Sequence, residues 1–388
     1  SKKKSSSSEQ KENSTDVPLS PYESILACRS NPPGPPQYLV KLREKSYHDS
    51  QWISGDELQK NPQSSSMLTR FIKNQRDYPT EEPYYDLQYN IIDRIILKKD
   101  RKYFVKWMGL GYEQATWEPK SAVTEEALED FKRRQLQSHP LKSGDVNKLP
   151  SINIQRIVSY PFGDKNLESY QISTMNLLLN NFSKMKNTDI IDCYNSQLTI
   201  SCAAFFDYIL KNPKENNNNS NTRSTRRTRS QKNDDNDSSE GENEGECGPV
   251  LIVAPLTSTV KWYDAFRQIK NATTLNYTGK KEGRQVSVDK DFYYSEDRLK
   301  FHVLITTPDI LAHDMELLSE IKWRIGIFDE ANRLRNPKSK LTQVLQHFVI
   351  GTQIAFMQNA PNYFALKKLT DLLIASSTNP YINEDIKK

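Results

Sequence analysis

The chain has 388 residues, with 54 Lys+Arg against 49 Asp+Glu and a formal net charge of +5. At roughly 100–200 residues per domain, that length holds several domains. Hydrophobic residues make up 36%, and the 13 Gly raise the apolar share only to about 39%, short of the roughly 45–50% of globular domains, so part of the chain reads as unfolded. No apolar run approaches the roughly 18 residues that cross a bilayer. Cys28, Cys193, Cys202 and Cys247 form no CxxC pair and the five histidines form no cluster, which argues against a zinc site or a disulfide framework.

In chain order, residues 1–20 are rich in Lys, Ser and Glu, lack the apolar core of a signal peptide and read as a disordered tail. The sequence does not begin with Met, as expected of a fragment. Residues 21–140 hold two short strand-rich units, each with Tyr and Trp, and 141–166 form a connector with scattered Pro and Gly. Residues 167–388 alternate apolar strands with helical patterns. The runs Gly248–Pro255, Lys300–Thr307 and Trp323–Ala331 are apolar and largely β-branched, the signature of strands buried on both faces of a parallel sheet. A low-complexity insertion, 212–248, interrupts this segment. It carries a basic block (Arg223, Arg226, Arg227, Arg229, Lys232) followed by an acidic one from Asp234 to Glu246. The basic block fits nucleic-acid contact or an import signal; the plainer reading is a solvated loop.

The strongest local pattern is KYFVKWMGLGYEQATWEP, Lys102–Pro119. Tyr103, Val105 and Trp107 alternate with Phe104 and Lys106, as in a half-exposed strand. A turn at Gly109–Gly111 leads to a second strand through Trp117, and Glu125–Gln135 follows as a helix. This stretch resembles a chromodomain, with Gln88–Ile96 resembling its first strand. Gln37–Ser54 is a weaker copy in which Leu42 stands where the motif has Trp. Tandem copies separated by a helical insert (Met67–Asp77) resemble the CHD (chromodomain-helicase-DNA-binding) family of chromatin remodellers. In single chromodomains three aromatics cage a methylated lysine. Here Trp107 matches one cage position, while the others fall on Leu110 and on Asn90, beside Tyr89. The resemblance therefore implies a protein- or DNA-contact module with an aromatic surface of Tyr89, Trp107, Tyr112 and Trp117.

The C-terminal segment resembles the first RecA-like lobe of Swi/Snf-type ATPases. Gly248–Ile269 matches motif Ia, Arg298–Leu311 motif Ib, and Ile321–Phe348 the Walker B or DEAH region. Leu167–Leu178 matches the start of the lobe, with Tyr170 and Gln171 in place. The resemblance puts Asn195, Ser196, Gln197, Leu198 and Thr199 where the family's phosphate loop has Gly-Leu-Gly-Lys-Thr, and only Thr199 survives. A phosphate loop needs glycines for backbone approach and a Lys for the β/γ oxygens. Asp329 and Glu330, the family's Mg²⁺ and water-orienting positions, remain; Asn332 replaces the histidine, and Gln358–Pro361 replaces motif III. The carboxylates read as catalytic relics or as ordinary strand-terminal acids. Thr257, Ser258 and Lys261 suit contact with a DNA backbone, as in motif Ia, or capping of the following helix.

The expected architecture is multi-domain: two small β+α chromodomain-like modules, then an α/β RecA-like lobe with a parallel sheet. The expected function is a nuclear, chromatin-associated pseudo-ATPase, a scaffold or recruitment subunit that does not hydrolyse ATP and needs no cofactor or metal. Its expected partners are the nucleosome, a histone tail or DNA, and other chromatin-complex subunits, with no membrane. The alternatives are an active remodeller using ATP and Mg²⁺ with an unorthodox phosphate loop and a second lobe outside this chain, and a histone-tail reader.

Overall fold

A computed structural model describes residues 20–30, 34–43, 45–74, 82, 84, 87–150, 152–191, 198–213, 248–335 and 339–357. The tail expected at 1–20, apart from Ser20, and the insertion between 214 and 247 lie outside them. The chain divides into two compact units, Ser1–Leu110 with Gln114–Ala127, and Gly111–Glu113 with Leu128–Lys388. No described helix is long and apolar enough to cross a membrane.

The first unit contains two three-stranded antiparallel sheets. One runs β1 (Tyr22–Arg29), β2 (Gln37–Leu42), β3 (Gln51–Ser54), and is followed by α1 (Gly55–Gln59) and α2 (Pro62–Lys73). Helix α2 starts where the Asn61 side chain accepts from Gln63 N, with Pro62 in the first turn, where its missing N–H is harmless. Its buried Leu68 and Phe71 face the sheet, and Phe71 meets Tyr38 edge-on at 5.9 Å. The second sheet runs β4 (Ile92–Lys99), β5 (Lys102–Trp107), β6 (Thr116–Pro119), with α3 (Glu125–Gln135) after it. Strand β4 starts later than the sequence pattern places it, because Leu87–Asn90 form a 3₁₀ turn.

The two sheets share one register down to their bulges. Tyr22, Ile25, Ala27 and Arg29 pair with Leu42, Val40, Leu39 and Gln37; Ile92, Ile95, Leu97 and Lys99 pair with Trp107, Val105, Phe104 and Lys102. Register shifts fall at matching places, after Tyr22 and Ile25 in one sheet and after Ile92 and Ile95 in the other. Even the buried lysines correspond: Lys41 pairs with Glu23, and Lys106 with Asp93 at 2.8 Å.

The second unit is built on a six-stranded parallel sheet. A small hairpin, β7 (Pro161–Phe162) and β8 (Lys165–Asn166), precedes α4 (Ser169–Ser183), β9 (Thr188–Ile191) and α5 (Leu198–Lys211). Then come β10 (Val250–Val253), α6 (Leu256–Phe266), β11 (Thr274–Asn276), α7 (Lys281–Ser287) and the hairpin β12 (Tyr293–Ser295) with β13 (Arg298–Leu299). The unit continues through β14 (Val303–Thr306), α8 (Pro308–His313), α9 (Met315–Ser319), β15 (Trp323–Phe328), α10 (Lys340–Leu345) and β16 (Ile350–Met357). The sheet order is β11-β14-β10-β15-β16-β9, with every adjacent pair parallel. Residues of β10, β14, β15 and β16 are buried throughout, as strands covered on both faces must be. Each buried Val, Leu or Ile contributes about 1.5–3 kcal/mol. Gly326 lets β16 close on β15, since a Cβ there would stand 2.9 Å from Ile350 Cγ2.

Residues 141–150 are fastened to this unit. Arg324, buried at the start of β15, donates from Nη1 to Val146 O (2.6 Å) and from Nη2 to Lys148 O (2.5 Å). Leu141 bridges Arg298 in an isolated antiparallel pair.

Candidate nucleotide and DNA site

In a parallel α/β sheet, ligands bind beyond the carboxyl ends of the strands where strand order reverses. Here the chain passes from β10 to the edge strand β11, steps back to β14, and then crosses to β15 and β16, which lie between β10 and β9. The crevice so formed receives the end of β15, where Asp329 and Glu330 stand, and the start of α5.

Asp329 is fixed from several directions. Its backbone N–H donates to Val253 O at 2.9 Å, tying it to the end of β10. Oδ2 accepts from Ser258 Oγ (2.9 Å) and from Trp262 Nε1 (2.9 Å), both on α6; Oδ1 accepts from Glu330 N at 2.9 Å. Ser258 and Trp262 are four residues apart, so both point from one face of α6. A carboxylate has about four lone-pair sites. The three bonds fill Oδ2 and leave one site on Oδ1. Glu330 takes φ of 50°, a left-handed conformation uncommon outside glycine and typical of strained functional turns.

The start of α5 faces the same place. Cys202, fully buried on α5, has its thiol pushed well up by burial and then by the neighbouring Asp329 charge. It is therefore a packing group and not a nucleophile. Thr199 precedes Cys202 by three residues and shares its helix face. Asn195, Ser196 and Gln197 lie outside the described residues; Leu198 and Thr199 begin α5 and are half-buried. A Mg²⁺–nucleotide group fits what is described: Oδ1 of Asp329 keeps an acceptor site, and Thr199 offers a hydroxyl on the facing helix. Leu198 supplies no cation for the phosphates. Among the described residues, no three His, Cys, Asp or Glu stand together as metal ligands.

Helix α6 also answers the question raised by its polar start. Pro255 is its N-cap and makes no side-chain cap bond, so the hydroxyls that follow lie within the helix. Ser258 Oγ turns inward to Asp329 and to Pro255 O, while Thr257 and Lys261 are exposed, one turn apart. Leu256 and Val260 are exposed beside them. One face of α6 thus grips Asp329 and the opposite face meets solvent. Trp262, absent from the residues singled out by sequence, is the missed member; its position in motif Ia was the signal that could have found it. Gln171, buried in the first turn of α4, uses Oε1 to accept from Glu168 N at 2.8 Å.

The aromatic surface expected on the second small sheet is largely a core. Trp107 is fully buried, donates from Nε1 to Thr116 Oγ1 (2.9 Å), and is covered by Tyr47 and His48, with ring centroids at 5.9 and 5.1 Å. It has no open face for a ligand. Tyr112 is also buried, and its hydroxyl donates to Asp291 Oδ2 at 2.8 Å within the second unit. Tyr89 is half-buried against Gly109. Trp117 alone of the four is exposed, tilted against Phe104 at 5.1 Å. The correction has a simple physical cause: a large apolar ring is buried wherever a neighbouring element can cover it, and the 3₁₀ turn Tyr47–Asp49 between β2 and β3 covers Trp107.

Residues 63–361 match the family model described as the SNF2-related domain. The chain is 27% identical over 361 residues to human chromodomain-helicase-DNA-binding protein 8, covering 87% of this chain and 13% of that protein. It is 27% identical over 381 residues to chromodomain-helicase-DNA-binding protein 6 from Mus musculus, covering 89% of this chain and again 13% of the relative. The chain therefore spans about an eighth of the length of these relatives. The Sulfolobus solfataricus SWI2/SNF2 ATPase core in complex with dsDNA is similar at 18% identity and a TM-score of 0.42, covering 57% of this chain and 38% of that one, too slight a likeness to carry an argument. The family-model match and the two relatives overturn the expectation that the chain is not an enzyme. They set it among proteins named as helicases, and of the loop on which that expectation rested, Asn195–Thr199, the part Asn195–Gln197 lies outside the described residues.

Proposed function

This chain belongs to the SNF2-related domain family, and from that premise we propose that it carries one lobe of an ATP-dependent, DNA-directed motor that works on chromatin in the nucleus. The observation that carries the reading is the hold of α6 on Asp329: the helix that offers Thr257 and Lys261 to solvent is the one whose Ser258 and Trp262 fix the carboxylate at the nucleotide crevice. When bound, the Mg²⁺–nucleotide group supplies the phosphoryl chemistry. Within the chain, Asp329 would hold the cation through Oδ1, Thr199 would add a hydroxyl, and Glu330 would orient the attacking water. Thr257 and Lys261 would meet the DNA backbone, so that a duplex seated on α6 bears directly on the position of Asp329. The relatives' names, which join chromodomain, helicase and DNA-binding, support a chromatin setting; the nucleosome and other chromatin subunits are the partners proposed with it, and the two small sheets are proposed as its chromodomain-like modules.

The test is ATP turnover by the full-length protein, with and without DNA or nucleosomes. Stimulated turnover that disappears in Glu330→Gln is the expected result. Trp262→Phe removes one charge-assisted bond to Asp329, worth about 1.5–3 kcal/mol, and is expected to raise the Mg²⁺ concentration needed for half-maximal turnover roughly tenfold. Turnover no higher than that of Glu330→Gln under every condition would overturn the reading in favour of a scaffold.

A further inference from the structure

The β4–β5 hairpin carries a charged feature that the lobe does not use. Lys99 and Lys102 are directly opposed across the hairpin, and like charges so placed destabilise a sheet. Both are exposed, as are Arg101 and Lys120, and the nearby carboxylate in the turn is Asp100. None of these four cations forms an ion pair among the described residues. Period-two alternation puts Lys99 and Lys102 on the same face as Leu97, Phe104 and Trp117. Those three form one cross-strand row, Leu97 opposite Phe104 and Phe104 opposite Trp117. Trp117 is 42% exposed and Phe104 half-buried, so two adjacent rings lie open beside a cluster of cations.

In the first sheet the equivalent position is filled from within. Arg29 holds the place of Lys99, and Gln37 that of Lys102. Gln37 Oε1 accepts from Arg29 Nε (3.0 Å) and Nη2 (2.7 Å), and the guanidinium lies 4.3 Å over Trp52, the counterpart of Trp117. Cation and ring there satisfy each other. In the second sheet Trp117 packs on Phe104, and among the described residues Lys99 and Lys102 form no ion pair.

We infer that the solvent face of β4-β5-β6 binds single-stranded or unpaired nucleic acid, with a base stacked on Trp117 and Phe104 and phosphates held by Lys99, Arg101 and Lys102. Open rings flanked by cations are the chemistry of single-strand binding, because every base has a π-face. A basic histone tail is repelled by this cluster. A duplex, its bases already stacked, gains nothing from Trp117. The inference stands apart from the motor reading, since it uses no residue of the lobe.

The test is fluorescence anisotropy of the full-length protein, carrying Thr257→Ala and Lys261→Ala so that α6 does not contribute. The probes are labelled oligo(dT), oligo(U), a 20-base-pair duplex and an oligoglutamate peptide. Tighter binding of either single strand than of duplex is expected. Lys99→Glu should weaken that binding at least about fivefold and flatten its salt dependence by about 0.7 in log–log slope for each phosphate no longer neutralised. Folding is not at issue in that variant, because the new carboxylate faces Lys102; its melting temperature should hold or rise. Trp117→Leu should weaken single strands at least about fivefold and leave the duplex unchanged. Single-strand affinity unmoved by both substitutions would overturn the inference. Equal losses on duplex and single strand in Trp117→Leu would do the same, as would oligoglutamate binding as tightly as oligo(dT), which would mark a protein partner.

Discussion

The two small sheets share strand order, register and bulges, yet they settle their polar and aromatic groups in opposite ways. In the first, Arg29 is bonded to Gln37 and stacked on Trp52, while Leu42 at the end of β2 is only half-buried. In the second, Lys99 faces Lys102, Trp117 is open, and the residue at the end of β5 is Trp107, wholly enclosed. A repeated fold thus keeps its backbone while moving its large ring from one place to another. The ring that sequence reasoning would assign to recognition became the core, and the ring left at the rim is the one available to a partner.

Four expected outcomes sharpen or break this contrast. The largest is Trp107→Ala, which removes a fully buried ring and should cost about 3–5 kcal/mol in urea unfolding followed by near-ultraviolet circular dichroism. The matching Leu42→Ala should cost less than half as much, and equal costs would break the contrast. Next is the buried ion pair. Lys106→Met keeps the aliphatic stem but removes the ion pair from Asp93, whose side chain is 3% exposed, and should cost about 3 kcal/mol. Lys41→Met strands Glu23, 42% exposed and able to rehydrate, so its cost should stay within about 1 kcal/mol. Arg29→Glu gives up the stacking on Trp52 and should lose about 1 kcal/mol. Smallest is Lys99→Glu, which turns a like pair into an opposite one and should gain about 0.2–1 kcal/mol. A loss of stability there would mean that the Lys99–Lys102 pair is already balanced within the fold.

Much of the lobe was legible in the sequence. Strands β10, β14 and β15 each fall inside an apolar, β-branched run, and α3 spans Glu125–Gln135 as its pattern predicts. Strand β16 was harder to see, because Gly351, Thr352 and Gln353 dilute its apolar pattern; their burial comes from β15 and β9 on either side. Asp329 and Glu330 could be read from motif resemblance. Their fixing could not, because it needs α6 laid against the end of β15, bringing together residues 67 and 71 positions apart. Ser258 shows the same limit: its hydroxyl suited a DNA contact in sequence and is turned to Asp329 in the fold. The enclosure of Trp107 is likewise a long-range fact, set by Tyr47 and His48 from the other sheet.

The most direct test of the nucleotide reading is equilibrium binding of a fluorescent ATP analogue to the full-length protein while Mg²⁺ is titrated. Asp329 keeps one acceptor site on Oδ1, so binding should be saturable, strengthened by Mg²⁺ and weakened at least about tenfold in Asp329→Asn, the loss expected when a charge-assisted bond is removed. Binding that ignores both Mg²⁺ and the Asp329→Asn change would contradict the role assigned to the end of β15.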